Sequence, residues 1–503
     1  MPVREHLGIG VAAADKRVVG RDGVWDSTGA LARYFTVMSE CATASKLRPA
    51  RSRIGGSRSQ QLTLTRICAA GLAVVMGAAQ LSSVLLAADP VAERFWPQWR
   101  GPYASGVSRS ADPPVEWSET KNIRWKTEIP GRGSSSPVVW GDRLFVLTAV
   151  PMAASGATSH DPRGQVRPRD IHRFTILAID RRTGRVVWER TAREERPRAP
   201  SMKDGTWASS SAITDGQRVF AFFESSGLYA YDIDGTLLWQ KHFGDKSMFA
   251  EVGESGSTPV LYGNQLVVVW DHQGASCIVA LNASTGQGIW RAARQDVDSW
   301  GTPLVVEHDG RAQVVTTGDK RVRSYDLETG RLVWEHDGLN MNPIPSPVAE
   351  DGMVFVTAGF RSSKLHAIRL AEAKGNLAGS TAIAWTLDRD TPYVPSPLVY
   401  DGILYLLKSN AGILSVFDAK SGRPHYQLQR LNGLPEVYSS PVAARGRVYI
   451  TSRDGTTLVI RHGSRFEVLA SNTLDDGFDA SAALVDNELY LRGNRYLYSI
   501  AEP

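Results

Sequence analysis

The chain has 503 residues, 42% of them hydrophobic and 22% charged, a balance typical of a globular protein with a large core. The formal net charge of +5 belongs to residues 1–66, which carry 11 Lys and Arg against 5 Asp and Glu and leave 46 against 47 for the rest. The near-neutral remainder gives no electrostatic argument for nucleic-acid binding. Beyond residue 88 the one cysteine is Cys277, which excludes a disulfide framework or a cysteine zinc site there.

The N-terminal 88 residues are predicted to lie outside the folded domain. Residues 1–66 show no sustained helical or strand period, and we interpret them as a disordered leader or as sequence upstream of the true translation start. Residues 67–88 carry no charge, follow Arg58 and Arg66, and end in small residues. They predict a signal peptide cleaved after Ala88, and therefore a periplasmic or secreted protein. The alternative is an uncleaved anchor, because 22 such residues could span a bilayer.

Residues 89–122, named here the aromatic strap, are too irregular for a helix or a sheet. The stretch Phe95–Ser108 combines prolines with Trp96 and Trp99, which are too apolar to leave in water. We expect this segment to lie across a finished surface. From Ile123 to Ile129 the apolar residues alternate, which predicts one strand without a hairpin partner.

Two phrases then recur to the end of the chain. The first has small hydroxyl residues, a Pro, an apolar strand, a turn and a second strand; its eight copies are marked by Pro137, Ala212, Pro259, Pro303, Pro347, Pro397, Pro441 and Ala482. The second is a hairpin that closes on an indole, Ala178–Trp188, Ala230–Trp239, Ala280–Trp290 and Ser324–Trp334, with a weaker copy at Val416–Tyr426. In each hairpin Asp or Asn starts the turn and Gly supplies the positive φ. The hydroxyl residues at strand starts are expected to bond to backbone.

Eight units spaced mostly about 44 residues apart predict an all-β fold, an eight-bladed β-propeller of four-stranded antiparallel blades over residues 123–500. The last unit ends after Tyr496–Ile500 without a fourth strand. We expect Ile123–Ile129 to supply it, so that an N-terminal strand closes the ring. Two insertions, 151–173 and 371–380, are predicted to be loops.

The hairpin phrase resembles the tryptophan-docking repeat of the PQQ-like (pyrroloquinoline quinone-like) β-propeller superfamily, which includes quinoprotein alcohol dehydrogenases and the propeller lipoprotein of the outer-membrane barrel assembly machinery. The resemblance covers about 96–500. It implies that each indole packs between blades and each Gly makes a turn, and so assigns structural docking roles to Trp188, Gly184, Trp239, Gly235, Trp290, Gly286, Trp334, Gly330 and Trp385. Tyr426 and the seventh unit, Val459–Leu469, depart from the pattern, so those two junctions should pack differently.

The resemblance also raises the question of a cofactor. A quinoprotein dehydrogenase would need Arg or Lys for the PQQ carboxylates, oxygen ligands for Ca²⁺ and an Asp base. The family enzymes also stack a vicinal disulfide on the quinone, which Cys277 alone cannot form. We therefore expect no cofactor, metal site or catalytic residue, with PQQ and Ca²⁺ as the alternative.

A ligand would be expected at the mouth of the central channel, where the residues before each inner strand converge. Those residues are Trp207, Glu254, Trp300, Asn342, Tyr393, Tyr438, Phe478 and Asp479. Aromatic rims with a few polar groups suit peptides or sugars. The sequence thus favours a non-catalytic, monomeric scaffold for protein or peptide partners in the cell envelope. The alternatives are a PQQ-dependent oxidoreductase, an envelope polysaccharide-binding module, and a rim that only seals the ring.

Overall fold

The computed structural model describes residues 91–152, 159–160, 165–167, 170–202, 205–246, 256–297 and 299–503. The predicted leader, the predicted signal peptide or anchor, and Glu254 lie outside these ranges. Helical structure among the described residues is limited to three single 3₁₀ turns, Ala92–Arg94, Glu224–Ser226 and Leu370–Glu372. Within those ranges no helix has the length and apolar character needed to cross a membrane.

Eight antiparallel sheets form the blades, which confirms the predicted eight-bladed propeller. Their strands are given from the innermost outward. Blades 1 and 2 are Val138–Trp140, Arg143–Pro151, His172–Asp180, Val186–Glu195 and Ile213–Thr214, Arg218–Phe222, Leu228–Asp232, Leu237–Lys241. Blades 3 and 4 are Val260–Tyr262, Gln265–Trp270, Cys277–Asn282, Gly288–Ala293 and Leu304–His308, Arg311–Gly318, Arg321–Asp326, Leu332–Asp337.

The second half of the ring repeats the arrangement. Blades 5 and 6 are Val348–Glu350, Met353–Ala358, Lys364–Arg369, Ile383–Leu387 and Leu398–Tyr400, Ile403–Leu407, Ile413–Asp418, Pro424–Arg430. Blades 7 and 8 are Val442–Ala444, Arg447–Thr451, Thr456–Arg461, Val468–Thr473 and Ala483–Val485, Glu488–Arg492, Tyr496–Ala501, Ile123–Glu128. The second and third strands of each blade are buried on both faces and read as apolar runs, whereas the outermost strands are largely exposed.

The ring closes through the N-terminal strand, as predicted. Ile123–Glu128 pairs antiparallel with Tyr496–Ala501, with Lys126 opposite Tyr498 and Glu128 opposite Tyr496. This pairing gives blade 8 its fourth strand and covers the edge that Tyr496–Ala501 would otherwise expose.

A closed circuit of hydroxyl groups links the starts of the eight inner strands. In each blade the residue before the Pro or Ala mark presents its hydroxyl oxygen to the backbone N–H of the equivalent residue in the preceding blade. The eight members are Ser136, Ser211, Thr258, Thr302, Ser346, Ser396, Ser440 and Ser481, and the bonds are 2.8–3.0 Å long. The last bond runs from Ser481 N to Ser136 Oγ, so the circuit has no open end. We name it the hydroxyl ring.

Indoles bridge most neighbouring blades. The Nε1 of each donates to a backbone carbonyl in the hairpin turn of the next blade, and the ring lies against the glycine of that turn. The pairs are Trp188 with Ile233 O and Gly235, Trp239 with Ala283 O and Gly286, Trp290 with Leu327 O and Gly330, Trp385 with Ala419 O and Gly422, and Trp125 of the closing strand with Arg181 O and Gly184. Each indole thus contacts the glycine of the following blade, not that of its own hairpin.

Trp334 departs from this geometry. Its Nε1 donates to Gln313 Oε1 within blade 4, and the side chain is fully buried. The reason is the insertion 371–380, which was predicted to be a loop. It instead adds the short strand Gly375–Asn376 in parallel to the outer edge of blade 4. Leu377 of the insertion, and Leu370 just before it, pack in the same core cluster as the indole.

The junction between blades 7 and 8 also packs differently. The position that carries an indole elsewhere is Ala470, opposite Val459. Trp117 of the aromatic strap enters the same core cluster, where it lies over Tyr449 with ring centroids 6.3 Å apart and donates its backbone N–H to Asn472. At the junction of blades 6 and 7, Tyr426 contacts Phe466 edge to face.

Candidate functional site

The aromatic strap enters the centre of the propeller. Trp96 exchanges two backbone hydrogen bonds with Val139 of the innermost strand of blade 1, and Thr214 N of blade 2 donates to Pro97 O. Farther along, Val107–Ser108 pairs in parallel with the inner strand of blade 7. The segment therefore bonds to inner strands on different sides of the channel and crosses it. The sequence predicted a strap across a finished surface.

Arg100 fixes the strap inside the channel. Its guanidinium donates to Ser105 O at 2.6 Å, Pro397 O at 2.7 Å and Pro441 O at 3.5 Å, and only 1% of the residue is exposed. Burial lowers the pKa of Arg100 to about 9, so the side chain remains cationic at neutral pH. Gly106 has φ +84°, and a Cβ there would lie 2.7 Å from an Arg100 guanidinium nitrogen. The Arg100 guanidinium therefore leaves no space for a side chain at position 106.

An open cleft lies beside the strap on the side where the inner strands end in tight turns, named here the turn side. The cleft has a volume of about 170 Å³ and is bordered by strap residues such as Tyr103 and by the ends of the inner strands of blades 1 to 4. Its walls include Trp140, Tyr262 and Glu307. It is named here the turn-side cleft.

Trp140 and Tyr262 give the turn-side cleft two aromatic walls. The Trp140 indole lies on Gly216 of the next blade, where a Cβ would come within 2.2 Å of the ring, and against Phe95 with centroids 5.3 Å apart. The Tyr262 hydroxyl donates to Glu307 Oε2 at 3.2 Å. Burial and the charge of Glu307 raise the pKa of Tyr262, so that the hydroxyl keeps its proton.

The channel-mouth residues predicted from the sequence lie on the opposite side, where the inner strands begin, named here the start side. Arg453 lies over the Tyr438 ring at 4.1 Å and its Nε donates to Asp479 at 2.6 Å, so these two residues are brought together. Phe478, which was predicted at the same channel mouth, is fully buried and packs against Tyr498.

The other start-side residues have separate environments. Trp207 donates to Ala199 O and meets the His172 ring edge to face, while Tyr393 stacks on Phe360. Trp300 and Asn342 are half-buried. Within the described ranges no ring contact joins Trp207, Trp300 and Tyr393, so a ligand-binding role for this side remains a prediction.

A buried charge network occupies the space between blades 3 and 4. Arg294 is inaccessible and forms a bidentate pair with Asp271 and a second ion pair with Asp296, which also binds Arg323. Burial raises the pKa of Asp296 despite these cations. Burial opposes the charge of Arg294, but Asp271 and Asp296 outweigh it and raise the arginine pKa. The network is internally paired, as expected of a structural link between blades.

The described residues do not fit PQQ with Ca²⁺. Among them no three His, Cys, Asp or Glu side chains converge as metal ligands. Cys277 is buried in blade 3 and is the one cysteine among the described residues, so these residues hold no vicinal disulfide. The turn-side cleft is also smaller than the roughly 300–1,000 Å³ of ordinary small-molecule sites. No chemical step is therefore assigned to this cofactor.

Sequence reasoning did not single out Trp140, Tyr262 or Glu307. A signal was present, because two copies of the first phrase carry an aromatic three residues after the Pro, immediately before the turn glycine: Trp140 before Gly141 and Tyr262 before Gly263. The residues predicted to bind a ligand precede the inner strands and therefore lie on the start side.

Comparison with known proteins gives the family. A family model described as outer membrane protein assembly factor BamB matches residues 110–292 and 274–495. Tetrathionate hydrolase of Acidithiobacillus ferrooxidans is 23% identical over 248 residues, covering 45% of this chain and 46% of that protein. BamB of Francisella salina is 26% identical over 173 residues, covering 34% of this chain and 30% of that protein. The chain thus spans less than half the length of these curated relatives.

A solved structure shares the fold. Quinohemoprotein alcohol dehydrogenase from Comamonas testosteroni is 11% identical, with a TM-score of 0.54 over 81% of this chain and 80% of that chain. The family model covers most of the described propeller. The chain therefore belongs to the family of outer membrane protein assembly factor BamB, within the PQQ-like β-propeller superfamily.

Proposed function

We propose that this chain is a non-catalytic scaffold that binds protein or peptide partners in the cell envelope. The observation that carries the proposal is the turn-side cleft, an open site walled by fixed aromatic side chains on a rigid ring. Aromatic anchors of this kind are typical of protein interfaces. Membership of a family described as an outer membrane protein assembly factor supports the same role.

The proposal places the working surface on the turn side. The backbone of the strap is bonded to the inner strands of blades 1, 2 and 7. A partner would bind a surface formed by the strap and by the ends of the inner strands, named here the platform. Because backbone hydrogen bonds already hold the strap on the inner strands, we expect little ordering entropy to oppose association.

The test compares three ligand classes on the purified full chain. Calorimetry with PQQ and Ca²⁺, followed by an alcohol oxidation assay, probes the oxidoreductase alternative, and a glycan array probes the polysaccharide alternative. Cross-linking in an isolated envelope fraction probes protein partners. We expect protein adducts without quinone turnover or glycan binding. Tight PQQ binding with turnover would contradict the scaffold proposal.

We also propose that residues 67–88 direct the chain to the periplasm. The support is the uncharged run that ends in small residues before Asp89. N-terminal sequencing of the chain recovered from the envelope should begin at Asp89. A start that retains the apolar run would show an anchor instead.

A further inference from the structure

We infer that the turn-side cleft is an anchor site for one cationic side chain, an arginine or a lysine, carried by an extended segment of a protein partner. The inference rests on the proposed scaffold function and adds the chemistry of the partner. Three features of the cleft carry it: the aromatic walls, an uncompensated carboxylate and the small volume.

The aromatic walls suit a cation. Trp140 lines the cleft, is half-buried, and has its ring held between Gly216 and Phe95. A guanidinium or ammonium within about 6 Å of such a ring is attracted by its π face. The strap provides an example, because the guanidinium of Arg109 lies over Tyr103, a cleft residue, at 4.4 Å from the ring centroid.

Glu307 contributes a negative charge to the lining of the cleft. Glu307 is half-buried and accepts a hydrogen bond from Tyr262, and in the described part of the chain no Lys, Arg or His forms an ion pair with it. The other carboxylate of the lining, Asp215, is already neutralised by Arg218 at 2.6 Å. Glu307 is therefore the carboxylate that a partner cation would complement.

The volume selects one side chain. About 170 Å³ is below the range of sites for cofactors and drug-sized ligands, roughly 300–1,000 Å³. Arg is also among the residues enriched at the centres of protein interfaces, where a buried anchor fills a pocket on the partner. An arginine or lysine projecting from an extended chain fits both the size and the charge.

The experiment measures binding of capped peptides to the full-length chain by calorimetry and saturation-transfer NMR at low salt. The probes are acetyl-Gly-Ser-Arg-Ser-Gly-amide, its lysine counterpart and its citrulline counterpart, which keeps the shape of arginine without the charge. We expect the cationic peptides to bind, and the citrulline peptide and the Glu307→Gln variant each to lose about twofold to fivefold in affinity, as for a partly exposed ion pair. The matched control is Glu328→Gln, an exposed carboxylate in the hairpin turn of blade 4, which should bind like wild type.

The outcomes separate this inference from the scaffold proposal. Equal binding of the citrulline peptide, no binding of either cationic peptide, or an unchanged affinity for Glu307→Gln with an unchanged melting temperature would overturn the cationic anchor. If cross-linking in the envelope gives the same protein adducts for wild type and Glu307→Gln, the scaffold stands and the anchor falls. If wild type gives no protein adducts, the scaffold proposal itself fails.

Discussion

Removing one hydroxyl of the hydroxyl ring should lower the free energy of unfolding, because one buried backbone N–H loses its acceptor. Ser396 is almost fully buried, and its Oγ accepts the backbone N–H of Ser346 at 2.9 Å. In Ser396→Ala that N–H has no acceptor, although the packing volume hardly changes. A buried N–H left unpaired costs about 1–3 kcal/mol. Ser396→Thr is the matched control, because Thr258 and Thr302 occupy the same ring position in blades 3 and 4.

Two measurements detect this loss of stability. Equilibrium denaturation should show the free energy of unfolding lowered by about 1–3 kcal/mol in Ser396→Ala and nearly unchanged in Ser396→Thr. Hydrogen exchange should show the Ser346 amide exchanging about fivefold to about a hundredfold faster in the alanine variant, because each 1.4 kcal/mol is a factor of ten. If both quantities match wild type in Ser396→Ala, the ring does not stabilise the propeller.

Three further changes probe other parts of the fold. Gly330→Ala places a Cβ 2.5 Å from the Trp290 indole at φ +71°, and should lower the free energy of unfolding by about 2–4 kcal/mol. The control is Gly310→Ala, at φ +70° in open space, which should lower the free energy of unfolding by only about 1 kcal/mol. Equal losses in the two variants would contradict the docking role of Gly330. Burial lowers the pKa of His366 from 6.5 to about 4, so the unfolded chain binds that proton first as the pH falls. The free energy of unfolding should therefore drop by about 3 kcal/mol between pH 6.5 and pH 4, and less in His366→Gln; an unchanged pH slope in that variant would refute the assignment. Trp117→Ala should lower the melting temperature through a loss of about 3–5 kcal/mol at the junction of blades 7 and 8, and a wild-type melt would show that another residue fills it.

Local repetition was enough to predict the blades. The hairpin phrase places an acidic or amide turn residue, a positive-φ glycine and an indole at fixed spacing, as in Ser324–Trp334, and each copy folds into the same pair of strands. The missing fourth strand of the last unit then predicted the closure, which Ile123–Glu128 provides. The spacing and the number of the repeats were both visible in the sequence because each blade packs against its neighbour with the same residue types.

The course of the strap was not predictable in this way. Its contacts are single backbone carbonyls, such as Pro397 O and Pro441 O bonded to Arg100, and they leave no periodic pattern in the sequence. In blade 7 the hairpin lacks its own Trp, and Trp117 of the strap packs there instead. This contact is equally nonlocal, because Trp117 lies more than 350 positions before its partner Asn472 in the chain. The sequence predicted that this junction differs, but not what fills it.

The turn-side cleft was missed for a related reason. It arises where the ends of four inner strands meet the strap, so no one unit contains it. Trp140 and Tyr262 lie in different repeats, and Glu307 becomes significant only because Tyr262 orients it and no described cation neutralises it. Such a site depends on the assembled ring.

The most direct test of the scaffold role is photo-cross-linking in living cells with a photoreactive amino acid at Leu261, a half-exposed wall of the turn-side cleft. The control position is Leu237, exposed on the outermost strand of blade 2. The account predicts a protein adduct at Leu261 that is absent at Leu237. No protein adduct at Leu261, together with alcohol oxidation by the purified chain loaded with PQQ and Ca²⁺, would contradict it.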